Sequence, residues 1–247
     1  MTPASLARSV AAFAATGVGT LTFASLALAS GLCLGPSHSL VDFCYRNFAR
    51  TLLRGFGARV ASAGGEELDP GCRYVFVANH QSYLDPLAIL ASLPAFSLRF
   101  VAKRDLLKIP VFGAALRATG GVMISRSDTQ GDIRSLDAAQ HELGDRVSVL
   151  FFPEGTRSPD GKLRTFKKGA AAFAIKTGWP LVPIGVAGSF EIFPKGFEVR
   201  RAGCIGVAIG EAIATEGRSW DEREVLTESL QSAVAALCTC ARAERMG

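Results

Sequence analysis

"RYVFVANHQSYLDPLAIL", residues 73–90, holds the decisive change of pattern in this chain. Val75, Phe76, Val77 and Ala78 form a short apolar run ending in polar residues, as a buried strand does. Asn79, His80, Gln81 and Ser82 follow, and Asp85-Pro86 then opens a second apolar run long enough for a helix. Proline fixes its own φ near the helical value and suits the first helical position, which makes Asp85 the expected N-cap. Strand, polar connection and helix together are half of a β-α-β unit. His80 and Asp85 stand at the carboxyl end of its strand, where open α/β sheets bind ligands.

The pattern repeats outward from there. Strand-length apolar runs lie at 73–79, 97–103, 121–125, 147–152, 181–188 and 204–210. Helical patterns lie between several of them, at 85–93, 110–119, 129–143 and 166–177. Such alternation predicts an α/β fold, a layered and largely parallel central sheet flanked by helices. A last helix, capped by Ser219 or Asp221, is expected to bury Val225, Leu226, Leu230, Val234 and Leu237. Residues 57–247 are read as this catalytic domain.

Residues 1–56 read differently. From Ser9 to Val41 there is no Asp, Glu, Lys or Arg. At ~1.5 Å per residue the part before Pro36 is long enough to cross ~30 Å of hydrocarbon. A cleaved signal peptide would also explain Arg8 and the "ALA" at 27–29, but the length of the run favours a retained anchor. Whether it spans the bilayer or lies in one leaflet stays open. In the next segment Leu40, Cys44, Phe48, Leu52 and Phe56 recur every four residues, with Arg46, Arg50 and Arg54 two positions out of phase. On a helix these rows lie on opposite faces, which suits an anionic membrane surface or packing on the core.

The formal net charge is +5. Its basic residues are not interleaved with aromatics and no nucleic-acid motif occurs, so the expected partners are anionic lipid and phosphorylated substrate, not nucleic acid. The six cysteines include no C-x-x-C pair and read as reduced, small apolar residues, with no metal site expected.

Four strand ends carry the polar chemistry. After 75–78, the four residues between His80 and Asp85 can turn the carboxylate back onto the imidazole. A carboxylate on one ring nitrogen fixes the tautomer and leaves the other as a proton acceptor, the arrangement of a general base. After 147–152, Glu154, Gly155, Thr156 and Arg157 occupy a turn, followed by Lys167 and Lys168. Glycine permits close backbone approach, and the guanidinium fork matches phosphate oxygens. Lys103 and Arg126 end two further strands. No G-x-x-x-x-G-K-[ST] loop and no G-x-S-x-G elbow is present, so neither a Walker phosphate loop nor a covalent serine is indicated. A His/Asp pair beside an anion site suits direct transfer, with a substrate hydroxyl as nucleophile.

"NHQSYLD" (79–85), "VAKRDLLKIPVFGAALRATGGVMISR" (101–126), "FPEGTRS" (152–158) and "VPIGVAGS" (182–189) stand in the order and spacing of the four blocks of glycerolipid acyltransferases. The chain resembles the 1-acylglycerol-3-phosphate acyltransferase family over residues 60–215. The resemblance implies that His80 takes the proton of the glycerol 2-hydroxyl and that Asp85 holds His80. It implies that Glu154, Gly155, Thr156 and Arg157, with Lys103 and Arg126, hold the glycerol phosphate, and that Pro183 helps shape a pocket. The acceptor would be lysophosphatidic acid, the donor acyl-CoA or acyl carrier protein, and no metal or tightly bound cofactor would be needed. Expected localisation is a bacterial inner membrane, with the catalytic domain cytoplasmic. Ser125 replaces an aspartate frequent in the family, so an acceptor such as a lyso-ornithine lipid or another lysophospholipid stays open. A non-catalytic lipid-binding protein on the same fold is the reading from another class.

Overall fold

A computed structural model describes residues 2–124, 135, 138 and 143–245. Helix α1 (Pro3–Gly19) passes through a π-helical turn (Thr20–Ala24) into α2 (Ser25–Leu34), and α3 (Ser39–Gly55) follows. The order is then β1 (Ala58–Ala63), β2 (Val75–Ala78), α4 (Asp85–Ser92), β3 (Ser97–Lys103), α5 (Phe112–Ala118), β4 (Val122–Ile124) and β5 (Val147–Phe151). Helix α6 (Gly169–Thr177), β6 (Leu181–Ala187), the single turn α7 (Ser189–Ile192), β7 (Gly203–Ile209) and α8 (Arg223–Glu244) complete it.

The seven strands form one sheet in the order β1-β7-β6-β2-β5-β3-β4. Every neighbouring pair is parallel except β6 with β7. Strand β2, the one read first, lies at the centre between β6 and β5. Its alternate residues feed two cores. Phe76 and Ala78 face Leu52, Leu53, Leu84 and Ile89 of the α3/α4 layer, while Val75 and Val77 face Phe173, Leu226 and Leu230 of the α6/α8 layer. Helix α8 lies directly on the sheet: a Cβ on Gly185 or Gly206 would strike the backbone of Leu237 and Cys238 or of Ala241.

The six predicted strands are present within two residues at each described end, and residue 125 lies outside the described residues. The sequence pattern does not reveal β1, because "ARVASA" is an edge strand with only Ala58 buried and contains no apolar run. Most of the helix expected at 129–143 also lies outside the described residues. Leu226, Leu230 and Val234 are buried in α8 as expected, but Val225 is 68% exposed and Leu237 half-buried, and Cys238 and Ala241 complete the stripe. Ser219 caps a 3-10 turn (Trp220–Glu222) in a capping box with Glu222, ahead of α8 itself.

The N-terminal helices are docked on the sheet domain. Val199 N–H donates to Ser9 Oγ at 3.0 Å, Arg8 donates to the Arg200 carbonyl at 2.7 Å, and Phe13 meets the rings of Phe193 and Phe197. Gly31 of α2 leaves no room for a Cβ against Ala118 of α5. In α3 the apolar row turns to the core, with Cys44, Leu52 and Phe56 buried, whereas Arg50 and Arg54 are exposed. Arg46 donates to the Pro94 carbonyl at 3.1 Å.

One polar knot joins these layers. Arg99 of β3 is fully buried and donates to Asp42 Oδ1 at 2.8 Å, to the carbonyls of Thr119 (2.6 Å) and Leu98 (2.9 Å), and to that of Pro36. It ties α3, the connection after α2 and the end of α5 to the sheet. A buried guanidinium persists only with such a set of acceptors. Of the cysteines, all free, Cys44 and Cys238 are buried and Cys33, Cys72 and Cys240 are exposed.

Candidate active site

The site forms where β2, β5 and β6 end. Asn79 sets the exit of β2 by pairing side chain to backbone with Val186 of β6: its Nδ2 donates to the carbonyl at 2.9 Å, and its Oδ1 accepts from the N–H at 2.8 Å. The chain then turns into α4. Asp85 is the first residue of that helix rather than its cap, and its carboxylate reaches backward. Oδ2 accepts from the N–H groups of Gln81 (2.6 Å) and Ser82 (2.7 Å) and lies 2.9 Å from His80 Nδ1. The turn amides therefore hold the carboxylate, and the carboxylate holds the imidazole.

Asp85 is wholly buried, while the His80 side chain is 16% exposed. The imidazole stacks on Phe152, centroids 4.2 Å apart and planes 25° from parallel. With Nδ1 facing the carboxylate, the ring presents Nε2, which no described residue bonds. A neutral imidazole so held can take a proton there, and the buried carboxylate stabilises the charge that results.

Glu154, read from sequence as a ligand to substrate, has both oxygens engaged by backbone. Oε1 accepts the His80 N–H at 2.7 Å, and Oε2 accepts the Arg164 N–H at 3.3 Å. Burial pushes its carboxyl up to about 7, against the lowering effect of those two hydrogen bonds. Gly155 takes a left-handed φ of +76°, and the side chain of Lys167 runs past it, 3.3 Å from where a Cβ would stand. Thr156 is exposed.

Arg157, at the end of the same turn, places its guanidinium 3.5 Å from the centroid of the Tyr83 ring. Its Nη1 is buried and has no hydrogen-bond partner. A buried cationic donor left unpaired is costly, and an anion arriving at that nitrogen removes the cost. Lys103 ends β3 on the same edge of the sheet but is ion-paired with Asp105. Arg126 lies outside the described residues.

Sequence reading missed Asn79, Tyr83 and Phe152 as parts of the site. Tyr83, 52% exposed beside a strand end, carried a signal in its polarity and place. Asn79 and Phe152 carried none, because their roles depend on which strands are neighbours.

Known proteins share this sequence pattern and this fold. The sequence model of the acyltransferase family matches residues 59–187. A 1-acyl-sn-glycerol-3-phosphate acyltransferase of Chlamydomonas reinhardtii is 38% identical over 157 residues, covering 63% of this chain and 47% of the relative. The human 1-acyl-sn-glycerol-3-phosphate acyltransferase alpha is 34% identical over 178 residues, covering 71% and 62%. The chain spans about a third to a half of the length of the first curated relatives it matches. The crystal structure of the 1-acyl-sn-glycerophosphate (LPA) acyltransferase PlsC from Thermotoga maritima superposes with a TM-score of 0.77 at 26% identity, over 94% of this chain and 95% of that one. A family match over more than half the chain, with the same fold end to end, places the protein in the acyltransferase family.

Proposed function

We propose that the protein transfers a fatty acyl chain from a thioester to the 2-hydroxyl of 1-acylglycerol 3-phosphate, giving phosphatidic acid. His80 Nε2 takes the hydroxyl proton as the oxygen attacks the thioester carbonyl. The C–S bond breaks, and the leaving sulfur receives the proton back from the imidazolium. The acyl thioester of coenzyme A or of acyl carrier protein is the only co-substrate this chemistry requires. The observation that carries the reading is the His80–Asp85 bond of 2.9 Å beside the unpaired, buried Nη1 of Arg157. A base and an anion receptor on one rim are what a phosphorylated alcohol needs. The names of the relatives support it.

The acceptor lives in a membrane, and the helices α1 and α2 suit that. Val10, Leu21 and Leu32 are more than 60% exposed on a helical stretch, Pro3–Leu34, apolar and long enough to cross a bilayer. Because the same stretch is docked on the domain, we place it in one leaflet, with its apolar side in lipid and the site at the interface. Arg50 and Arg54, exposed on α3, suit the anionic surface of the cytoplasmic leaflet of a bacterial inner membrane, the side on which acyl thioesters are made.

An acceptor panel tests the activity. Purified protein is given labelled acyl thioester and separate lysolipids, beside its His80→Ala variant. Phosphatidic acid from lysophosphatidic acid, absent with the variant, is the expected result. Preference for a lyso-ornithine lipid or another lysophospholipid would change the acceptor. Binding of lysolipid without turnover would make the protein a lipid binder instead.

A further inference from the structure

We propose that the connection from α7 to β7, residues 193–202, is a second membrane-contacting element. It enters the lipid leaflet beside α1 with Phe197 at its tip, and so seats the rim that holds Tyr83 and His80 on the membrane surface. The contact does not depend on the reaction; its use, to admit a lipid acceptor, rests on the acyltransferase reading.

Phe197 is 84% exposed, the most exposed large apolar side chain among the described residues. The connection that carries it is fastened on both sides of the tip. Before the tip, Ser82 Oγ, in the turn between His80 and Asp85, donates to the Phe193 carbonyl at 2.6 Å. After it, Val199 N–H donates to Ser9 Oγ, Arg8 donates to the Arg200 carbonyl, and Arg200 N–H donates to the Ile192 carbonyl at 2.9 Å. Pro194 and Val199 are buried, whereas Lys195, Gly196 and Phe197 are exposed. Gly196 turns the tip at a φ of +143°, a conformation that residues with a side chain rarely adopt. An apolar ring held out in water by a fixed backbone carries a hydration cost that a membrane interface removes.

The partner is set by what adjoins the ring. Leu6, Val10 and Phe13 follow one another at four and three residues, so they share one exposed face of α1, and the Phe197 ring lies 6.5 Å from that of Phe13. The tip therefore continues the apolar face of the N-terminal helices. Lys195, Arg200 and Arg201 stand exposed around it against one acid, Glu198, which suits anionic head groups above an inserted ring. In the other direction the rings lead to the site: Phe13 meets Phe193 at 6.4 Å, Phe193 meets Tyr83 at 6.5 Å, and Tyr83 carries the guanidinium of Arg157. A lysolipid leaving the leaflet at this point meets aromatic rings before it meets the cation.

Phe197→Trp reports the contact, with the parent protein as background for Trp179 and Trp220. On vesicles of phosphatidylcholine and phosphatidylglycerol the introduced indole should shift its emission to the blue, and lipids brominated on their chains should quench it beyond the parent. Three results would each overturn the proposal: no binding to these vesicles, binding with the added emission unshifted and unquenched, or a blue shift that grows with protein concentration before lipid is present. The last would give the patch to a second copy of the chain. Phe197→Ser, with its thermal midpoint checked against the parent, should weaken vesicle partition about tenfold, equivalent to ~1.4 kcal/mol. KM for lysophosphatidic acid carried in vesicles should rise in step, with no such rise for a short-chain acceptor that stays monomeric in water. An equal rise with both acceptors would put Phe197 in the acceptor pocket instead of in lipid and overturn the proposal. Quenching needs no turnover, so a quenched indole in a protein whose parent transfers no acyl chain would sink the acyltransferase reading and keep the contact.

Discussion

The backbone N–H of His80 donates to Glu154 Oε1 at 2.7 Å, across 74 residues of sequence. The carboxyl group of the "FPEGTRS" turn therefore sets the main chain of His80, while Asp85 sets its ring. Two carboxyl groups act on one histidine, one from the first turn of α4 and one from the turn after β5, and both are buried.

The first prediction follows from that division. His80→Ala removes the base and Asp85→Asn removes the charge that fixes the tautomer and steadies the imidazolium, so both should lower kcat by ~10²–10⁴-fold. Donor and acceptor KM should change far less. Initial rates over both substrates decide it, and near-parent turnover in His80→Ala would discard the proposed base.

Glu154 predicts a pH effect on stability. Its carboxyl is raised by burial from 4.5 to about 7 in the folded protein, so the native state holds a proton that the unfolded chain has released. Its contribution to stability is therefore fully present below the unfolded value and is lost as pH rises toward 7. Glu154→Gln removes the titration and keeps an oxygen for the His80 N–H. Denaturation midpoints from pH 4.5 to 7.5 should fall more steeply with pH for the parent than for the variant. Parallel curves would show that Glu154 does not titrate in this range.

Arg157 tests the acceptor site. Arg157→Lys keeps the charge but loses the planar fork and its stacking on Tyr83, so acceptor KM should rise about tenfold or more with donor KM little changed. Tyr83→Leu should give a smaller rise in the same direction. An acceptor KM equal to that of the parent in Arg157→Lys would move the phosphate to another cation.

The Arg99 knot makes a stability prediction. Asp42→Asn leaves a fully buried guanidinium without its counter-charge, a change that costs about 3–5 kcal/mol when a buried pair is broken. Urea denaturation should show that loss with an unchanged m-value. A loss below ~1 kcal/mol would mean that the carbonyls of Pro36, Leu98 and Thr119 suffice.

The membrane face makes the last. Val10→Asp/Leu21→Asp/Leu32→Asp should weaken sedimentation with anionic vesicles at any salt, since it removes exposed apolar area. Arg50→Gln/Arg54→Gln should weaken it at low salt alone, by about 1 kcal/mol per arginine. Arg46 is engaged at Pro94 and should add less. Vesicle binding by the first variant equal to that of the parent would remove α1 and α2 from the interface.

Sequence by itself determined the elements and the chemistry. Short apolar runs bounded by polar turns and alternating with helical patterns read as strands of a layered sheet, and Asp-Pro after a polar turn suits the start of a helix. So β2 to β7, α4 and the residues His80, Asp85, Glu154 and Arg157 were legible as neighbours along the chain. What the tertiary structure decided was which of these meet. Strand order put β5 and β6 on either side of β2, which brought Glu154 and Asn79 into the exit of one strand. It gave Glu154 to the backbone of His80 instead of to a ligand, and it buried Arg99 under Asp42. No local pattern encodes such contacts, because they join residues dozens of positions apart and depend on the packing of layers. The same reason explains α3, whose four-residue period named an apolar row without saying that α1 and the sheet core, rather than lipid, would cover it.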